Sequence, residues 1–222
     1  MDVKVFDLGL TDYGYSLEFQ KKILADIKSG RLPSALIIAE HQPVITLGRM
    51  ADKKNVLENE KALASKGICI FQVDRGGDVT YHGPGQLTLY PILDLKNLKK
   101  DLHLFLRFLE ELAINCLKKL SIPAQRQQGK TGVWIRDKKI ASIGISVKNW
   151  ITFHGISLNV TNYGLENFKF IKPCGLDIEM TCVESVLNRT VSLDEVKNIL
   201  LGQFEKQLEN FYFSQVNNGE GT

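Results

Sequence analysis

The sequence lacks the features of an exported or membrane-spanning protein. Residues 1–6 (MDVKVF) have neither the charged start nor the long apolar stretch of a signal peptide. No apolar run reaches the length of about 20 residues that a transmembrane helix needs. The four cysteines include no CxxC pair and no dense disulfide framework, which indicates a reducing compartment. We therefore expect a cytoplasmic protein that does not enter a membrane.

Several signatures of catalysis and ligand binding are also missing. The glycine-rich segment matches neither the GxxxxGK[ST] pattern of a P-loop nor GxGxxG followed by a helix. No GxSxG elbow indicates a Ser-His-Asp hydrolase. Histidines and cysteines do not occur at the spacing of zinc ligands, so we expect no metal and no other cofactor. The lysines and arginines are scattered and the net charge is only +3, which argues against a nucleic-acid partner and favours an acidic protein partner.

The composition is that of a soluble globular domain, with 222 residues of which 44% are hydrophobic and 24% charged. No repeat or linker divides it, so residues 1–216 are predicted to form one domain, followed by a disordered tail at 217–222. Helices are predicted where apolar residues recur at helical spacing, at residues 13–29, 101–120 and 192–211. Strands are predicted at residues 3–8, 35–39, 44–47, 68–73, 87–93, 132–136, 139–147 and 150–160, with tight turns at 137–138 and 148–149. Because these elements interleave without a regular βαβ rhythm, the fold class is α/β of the α+β type, a mixed sheet flanked by helices.

Residues 75–86 (RGGDVTYHGPGQ) form the densest unusual segment of the chain. Glycines at this density let the backbone pass close to a ligand and present its N–H groups. The segment breaks both the helical and the strand periodicity, so it is predicted to be a loop. A long ordered turn between two strands, with no ligand, explains the composition equally well.

Lys139 opens a second candidate segment, residues 139–145 (KIASIGI). The small side chains of Ala141 and Ser142, together with Gly144, leave space for a ligand to lie against a strand. The alternative is an ordinary solvated lysine at a turn.

Cys174 lies between Pro173 and Gly175, a setting typical of a backbone turn that exposes the thiol. A thiol with a pKa near 8.5 is only slightly ionised at neutral pH, so a nucleophilic cysteine needs a nearby cation or base. The alternative for any lone cysteine is a small buried hydrophobe. Cys116, on the apolar face of a predicted helix, and Cys69, in a predicted strand, fit that alternative.

Together, these segments resemble one family. Residues 75–86 (RGGDVTYHGPGQ), 139–144 (KIASIG), 153–159 (FHGISLN) and 173–175 (PCG) match, in this order, the motifs of the lipoyl(octanoyl) transferases. These enzymes are the octanoyl-[acyl-carrier-protein]:protein N-octanoyltransferases of lipoate biosynthesis. The resemblance extends from about residue 35 to residue 187.

The resemblance implies the fold of the biotin/lipoate protein ligase catalytic domain, with helices mainly on one side of the sheet. It implies that Cys174 is the acyl-thioester nucleophile and Lys139 its acid–base partner. It also implies a substrate site made of three runs, which are Arg75, Gly76, Gly77, Asp78, Val79, Thr80, Tyr81 and His82, then Ser142, Ile143 and Gly144, and finally Gly155, Ile156 and Ser157.

The partners implied by the resemblance are octanoyl-acyl carrier protein as donor and, as acceptors, the lipoyl domains of 2-oxoacid dehydrogenases or the glycine-cleavage H protein. We expect a monomer. Two alternatives stay open at this point. One is a ligase of the same fold that activates free acid with ATP and needs no cysteine nucleophile; the other is a catalytically silent acyl-binding module.

One position departs from the family pattern. Members tend to carry a TSL-like step after PCG, whereas this chain has Thr181 followed by Cys182. We interpret Cys182 as a structural substitution close to the site.

Overall fold

The computed structural model describes residues 2–173 and 178–216. Within them ten strands form: β1 (Lys4–Thr11), β2 (Ala35–His41), β3 (Val44–Leu47), β4 (Cys69–Gln72), β5 (Val79–His82), β6 (Gln86–Ile92), β7 (Gln125–Gln127), β8 (Lys130–Ile135), β9 (Lys138–Lys148) and β10 (Ile151–Asn159). The same ranges contain five α-helices: α1 (Tyr13–Lys28), α2 (Glu60–Ser65), α3 (Leu102–Lys119), α4 (Val183–Leu187) and α5 (Leu193–Val216). Short 3₁₀ helices lie at Lys53–Asn55 and Leu165–Phe170.

The described strands form two sheets. The large sheet has the order β1-β2-β6-β10-β9-β8-β7, in which β1 and β2 are parallel and the other neighbours antiparallel. The small sheet has the order β4-β3-β5, with β3 parallel to β4 and antiparallel to β5. The predicted mixed sheet with flanking helices is confirmed.

Strand β2 shows how the sequence places layers on both faces of the large sheet. Its apolar run has no polar alternation until Glu40, as expected of a strand buried on both faces. Leu36 and Ile38 pack in the cluster that includes α3 and α5, whereas Ala35 and Ile37 pack with α1. The two longest helices therefore cover one face and α1 the other.

Helices α1 and α3 both begin at aspartates. Asp12 accepts a hydrogen bond from the Tyr15 N–H, and Asp101 accepts one from the Leu104 N–H. Both helices were predicted from apolar periodicity, and both are confirmed within two residues at each end. None of the helices in residues 2–173 and 178–216 combines the length and apolar composition required to cross a membrane.

The predicted loop at residues 75–86 is wrong for Val79–His82, which form β5. This strand pairs with β3, with Val79 opposite Leu47 and His82 opposite Val44. Tertiary pairing therefore overrides the local glycine content. Helices α2 and α4 and strand β7 were also not predicted, because each is too short for a clear periodicity.

Both hairpin turns were predicted one residue away from their observed positions. The first was predicted too close to the C-terminus and the second too close to the N-terminus. Ile135 pairs with Lys138, so the first turn is 136–137 rather than 137–138. Lys148 pairs with Ile151, so the second turn is Asn149 and Trp150, with φ of 55° and 67°. Two positive φ angles are the requirement of a type I′ turn, and an aromatic residue is not the usual choice there.

The described cysteines differ in burial. Cys116 is fully buried, as predicted, but Cys69 is exposed, so the prediction that it is buried is wrong. Cys69 begins β4, an edge strand of the small sheet, and edge strands retain exposed positions. Cys182 is buried and caps the N-terminus of α4, where its sulfur accepts from the Ser185 N–H.

Candidate active site

A cavity lies between the two sheets, with an empty volume of about 570 Å³ that includes the part open to solvent. Lys139 and Pro173 both line it. Most residues of the predicted substrate site line it as well, namely Arg75, Gly77, Asp78, Val79, Thr80, His82, Ser142, Ile143, Gly144, Gly155, Ile156 and Ser157. The three runs, distant in sequence, thus meet in one place.

Two predicted site residues, Gly76 and Tyr81, do not line this cavity. The Tyr81 ring packs in the cluster on the other side of β5, and its hydroxyl accepts a hydrogen bond of 2.9 Å from the Asn167 Nδ2. The Gly76 N–H donates to the Ile145 carbonyl at 2.8 Å, which fixes the loop against β9. Cys174, together with Gly175, lies outside the described residues.

Glycines in the loop and in the segments beside it allow these backbone segments to approach one another closely. A Cβ on Gly48 would collide with the Gly77 carbonyl, and Gly77 has a φ of 86°. A Cβ on Gly144 would lie 2.9 Å from the Arg75 Cδ and 3.0 Å from the Gly76 carbonyl oxygen. A side chain at Gly144 would therefore push the loop away from β9, which carries Ser142 and Ile143.

The guanidinium group of Arg75 is buried in the cavity wall, with 7% of the residue exposed. Its Nη2 donates to the carbonyl and hydroxyl oxygens of Thr46 at 2.8 and 2.9 Å. Its Nη1 donates to the Gly76 carbonyl oxygen at 3.0 Å. Backbone oxygens thus orient this cation, and the loop wraps around it.

Lys139 is 4% exposed, whereas a lysine at a turn would be solvated. It sits at a β-bulge, because Trp134 pairs with Lys139 but Val133 pairs with Ala141, leaving one extra residue in β9. Bulges re-aim side chains and are common beside active sites. The Lys139 Nζ lies 5.3 Å from the centroid of the Trp134 ring, an attractive cation–π distance.

Gly132 provides the space that the Lys139 side chain occupies. A Cβ on Gly132 would lie 2.5 Å from the Lys139 Cε and 3.2 Å from its Nζ. The φ of Gly132 is 123°, a region that side chains disfavour. Its N–H donates to the Oε1 of buried Glu110 at 3.2 Å, and the Glu110 Oε2 pairs with Arg126 at 2.9 Å. This arrangement fixes the surface on which the lysine lies.

The chain on the far side of residues 174–177 is anchored to Lys139. The Lys139 N–H donates to the Glu179 carbonyl and the Thr181 N–H donates to the Lys139 carbonyl, both at 2.9 Å. A salt bridge between Lys138 and Glu179 adds to this contact. Pro173 on the near side lines the cavity. The described residues on the two sides of positions 174–177 thus lie at the cavity and beside Lys139.

Four further residues line the cavity although the sequence did not single them out: Tyr13, Thr88, Tyr90 and His154. Tyr13 and Tyr90 are ordinary core residues by pattern. Burial raises the pKa of Tyr13 to about 12 and that of Tyr90 well above its usual value. Burial also lowers the pKa of His41, whose Nε2 lies 2.6 Å from the Tyr90 hydroxyl, to about 4. These groups are therefore neutral at physiological pH.

His154 enters the cavity through a local distortion of β10. Its φ is 56°, its N–H donates to the Gln20 Oε1 at 2.9 Å, and a Cβ on the next residue, Gly155, would collide with the Leu89 carbonyl. Pro91 in β6 lacks an N–H to donate at this level of the sheet. Burial lowers the pKa of His154 although Asp74, 3.0 Å from its Nε2, acts in the opposite direction. The sequence signal that could have indicated this distortion is Pro91, because proline is unusual within a central strand.

The cavity thus brings apolar side chains, neutral tyrosine and histidine side chains, the Arg75 guanidinium and Lys139 together in one place. In the described ranges, no group of three or more His, Cys, Asp or Glu side chains is arranged to hold a metal ion.

Comparison with known proteins supports this architecture. Residues 12–205 match the model of the lipoyl protein ligase A/B catalytic domain. The octanoyltransferase of Geobacter metallireducens is 42% identical over 199 residues, which cover 89% of this chain and 90% of that protein. The octanoyltransferase of Solibacter usitatus is 44% identical over 189 residues, 85% of each chain.

Solved structures confirm the predicted ligase-type fold. A lipoate-protein ligase A bound with ATP superposes with a TM-score of 0.80 at 18% identity, over 94% of this chain and 86% of that chain. A biotin protein ligase from Aquifex aeolicus gives a TM-score of 0.53 at 14% identity, over 96% and 70%. With octanoyltransferases as relatives over most of its length, the chain belongs to the lipoyl protein ligase A/B catalytic-domain family and is an acyltransferase of the octanoyltransferase group.

Proposed function

We propose that this enzyme moves an octanoyl group from octanoyl-acyl carrier protein to a lysine of a lipoyl domain through a thioester on Cys174. The acceptors are lipoyl domains of 2-oxoacid dehydrogenases or the glycine-cleavage H protein. The proposed enzyme is a cytoplasmic monomer and uses no metal or other cofactor.

The observation that carries the proposal is the shared cavity of Lys139 and Pro173. Cys174 is the covalent neighbour of Pro173, and consecutive Cα atoms are about 3.8 Å apart. Lys139 also bonds through its main chain to Glu179 and Thr181, beyond the cysteine. Both neighbours of the segment thus support a pairing of the Cys174 sulfur with the Lys139 amine.

In the first half-reaction the Cys174 sulfur attacks the carbonyl carbon of the octanoyl thioester. A new C–S bond forms and the C–S bond to the carrier breaks. Lys139 either stabilises the thiolate as an ammonium or takes the thiol proton, and then gives a proton to the leaving thiol. One thioester replaces another, so this half needs no ATP.

In the second half-reaction the amine of the acceptor lysine attacks the octanoyl-enzyme. A C–N bond forms, the C–S bond to Cys174 breaks, and Lys139 in its neutral form receives the amine proton. The product is an amide, which is more stable than a thioester, so the overall transfer is downhill.

The apolar side chains of Val79, Ile143 and Ile156 line the cavity and offer a surface for the acyl chain. Burial contributes about 0.8 kcal/mol per methylene. An acyl chain shorter by two methylenes should therefore react roughly 15-fold less efficiently, which can be measured as kcat/KM.

Intact mass spectrometry after incubation with octanoyl-carrier protein tests the covalent intermediate. We expect one octanoyl adduct on the unaltered enzyme, none on Cys174→Ala, and an undiminished adduct on Cys69→Ala, whose thiol is exposed but outside the cavity. An unmodified wild-type protein, or full labelling of Cys174→Ala, would refute the intermediate.

The role of Lys139 is tested by the pH dependence of Cys174 alkylation. The measurement is made in a Cys69→Ala background, so that the exposed thiol does not contribute. Lys139→Ala should raise the pH at which the thiol becomes reactive and slow transfer by about 10²–10⁴-fold. An unchanged profile and rate would remove Lys139 from the mechanism.

The rival function is an ATP-dependent ligase of the same fold. Supplying free octanoate with ATP in one arm, and octanoyl-carrier protein without ATP in the other, separates the two. Product in the first arm alone would establish a ligase. Acyl binding without product or adduct in either arm would indicate a binding module.

A further inference from the structure

His82 lies at the end of β5, in the cavity wall, with its ring stacked on Tyr13 at 5.9 Å between centroids. Its Nδ1 lies 2.6 Å from the Gln86 Oε1. Which ring nitrogen carries the proton decides whether His82 offers a donor or an acceptor to the cavity.

A chain of hydrogen bonds fixes the tautomer. The Thr181 carbonyl can only accept, so the Asn159 side chain directs its Nδ2 towards it, at 3.0 Å. The Asn159 Oδ1 then accepts from the Gln86 Nε2 at 2.8 Å, and the same nitrogen faces the Tyr81 carbonyl at 3.4 Å. The Gln86 Oε1 is therefore the acceptor, and the His82 Nδ1 must donate.

The neutral His82 ring thus has no proton on Nε2. Burial, with His41 and Arg75 nearby, lowers the pKa of His82 to about 3, so the ring stays neutral near physiological pH. Its Nε2 has no hydrogen-bond partner among the described residues. Because Gln86 engages Nδ1 and His82 lines the cavity, Nε2 is the ring nitrogen that can accept a hydrogen bond from a ligand there.

Of the two substrates of the proposed function, only one brings a donor to the reacting centre. The carbonyl oxygen and sulfur of an acyl thioester are acceptors, whereas the attacking lysine amine carries N–H bonds. Resting on that function, we propose that the His82 Nε2 accepts a hydrogen bond from the acceptor lysine amine and orients it for attack on the octanoyl-enzyme.

The hydrogen bond strengthens during the step it serves. As the C–N bond forms, positive charge develops on the amine nitrogen, and the N–H bond to Nε2 becomes charge-assisted. The C–S bond to Cys174 then breaks and Lys139 takes the proton, so His82 begins and ends the step neutral. An interaction that is stronger in the transition state than before it accelerates the reaction. The loss of this hydrogen bond should therefore affect the second half-reaction more than the first.

Two substitutions separate this role from a structural one. His82→Asn can keep a donor near the position of Nδ1 and so retain the bond to Gln86, but it removes the acceptor at Nε2. His82→Gln can place an oxygen near Nε2 but loses the donor to Gln86. Intact mass spectrometry then follows adduct formation from octanoyl-carrier protein and, separately, transfer from the isolated octanoyl-enzyme to a lipoyl domain.

We expect His82→Asn to slow transfer by about 10–100-fold and adduct formation by a clearly smaller factor, and we expect transfer to be less affected in His82→Gln. Normal transfer by His82→Asn, equal slowing of both half-reactions, or a larger defect in His82→Gln would overturn the assignment. Absence of an adduct on the unaltered enzyme would instead overturn the proposed function, and this role with it. NMR of the unaltered protein gives a test that needs no variant, since a proton on Nε2 would refute the tautomer.

Discussion

The buried histidines make a quantitative prediction about stability in mild acid. His41 and His82 are held neutral in the folded protein with pKa values of about 4 and about 3. In the unfolded chain both should titrate near 6.5. Below that pH the unfolded state binds more protons than the folded state, so the free energy of unfolding falls as the pH falls.

The size of the effect follows from the two shifts. At pH 5 an unfolded histidine is 1.5 units below its pKa, and at about 1.36 kcal/mol per unit each site costs about 2 kcal/mol. His41 and His82 together should therefore cost about 4 kcal/mol, a large share of the 5–15 kcal/mol typical of folded domains. The lowered pKa of His154 acts in the same direction.

Carboxylates with lowered pKa values contribute little in this window. The pKa values of Asp7, Asp74, Asp101 and Glu184 are lowered, so the stability they provide is present above their unfolded pKa values and is lost mainly as the pH falls below about 5. The interval from pH 7 to pH 5 thus isolates the histidines.

Urea unfolding at constant ionic strength measures the loss. With a slope near 3 kcal/mol per molar, the midpoint should fall by about 1.3 M between pH 7 and pH 5. His41→Gln, which removes one of the two sites, should reduce that fall by roughly half. An unchanged midpoint, or native imidazole signals of His41 and His82 that titrate near pH 6.5, would refute the reasoning.

Two further substitutions test the surroundings of the site. Gly132→Ala should cost about 1–3 kcal/mol of stability because of its φ of 123°. By displacing the Lys139 side chain, it should also slow transfer at least tenfold. Denaturation and transfer assays on the same preparation measure both effects, and transfer at the wild-type rate would contradict the contact. Cys182→Ser should keep the cap of α4 and most of the transferase activity, because a serine hydroxyl is a strongly preferred N-cap acceptor. Complete inactivation in the transfer assay would mean that Cys182, not Cys174, carries the acyl group.

Periodicity predicted the elements that bury a clear face. Helices α1 and α3 and the run of β2 follow from residue spacing alone. Strand β5 could not be found in this way, because it is four residues long, lies among glycines and gains its hydrogen bonds from β3. The turn at Trp150 was misplaced because local preference argues against an aromatic residue at positive φ.

In the candidate site, too, the sequence predicts the features that depend on local pattern and not those that depend on tertiary packing. Its glycine-rich loop is visible in the sequence because close backbone contacts need glycine. The orientation of Lys139 depends on a bulge and on the space above Gly132, which no local pattern encodes. Tyr13, Thr88 and Tyr90 come from separate elements and join the cavity only through tertiary packing.

Part of the polar wall of this cavity is compatible with an apolar substrate because its hydrogen bonds are already made within the protein. The Arg75 guanidinium is engaged by oxygens of Thr46 and Gly76, and burial keeps Tyr90 and His82 neutral. A buried polar group that has its hydrogen bonds costs little, whereas an unsatisfied one costs several kcal/mol. An acyl chain can therefore lie against the Arg75 part of the wall without breaking these hydrogen bonds. A polar group of the substrate can then form hydrogen bonds with the lining groups that have no partner among the described residues. His82, in the assigned tautomer, provides an acceptor of this kind.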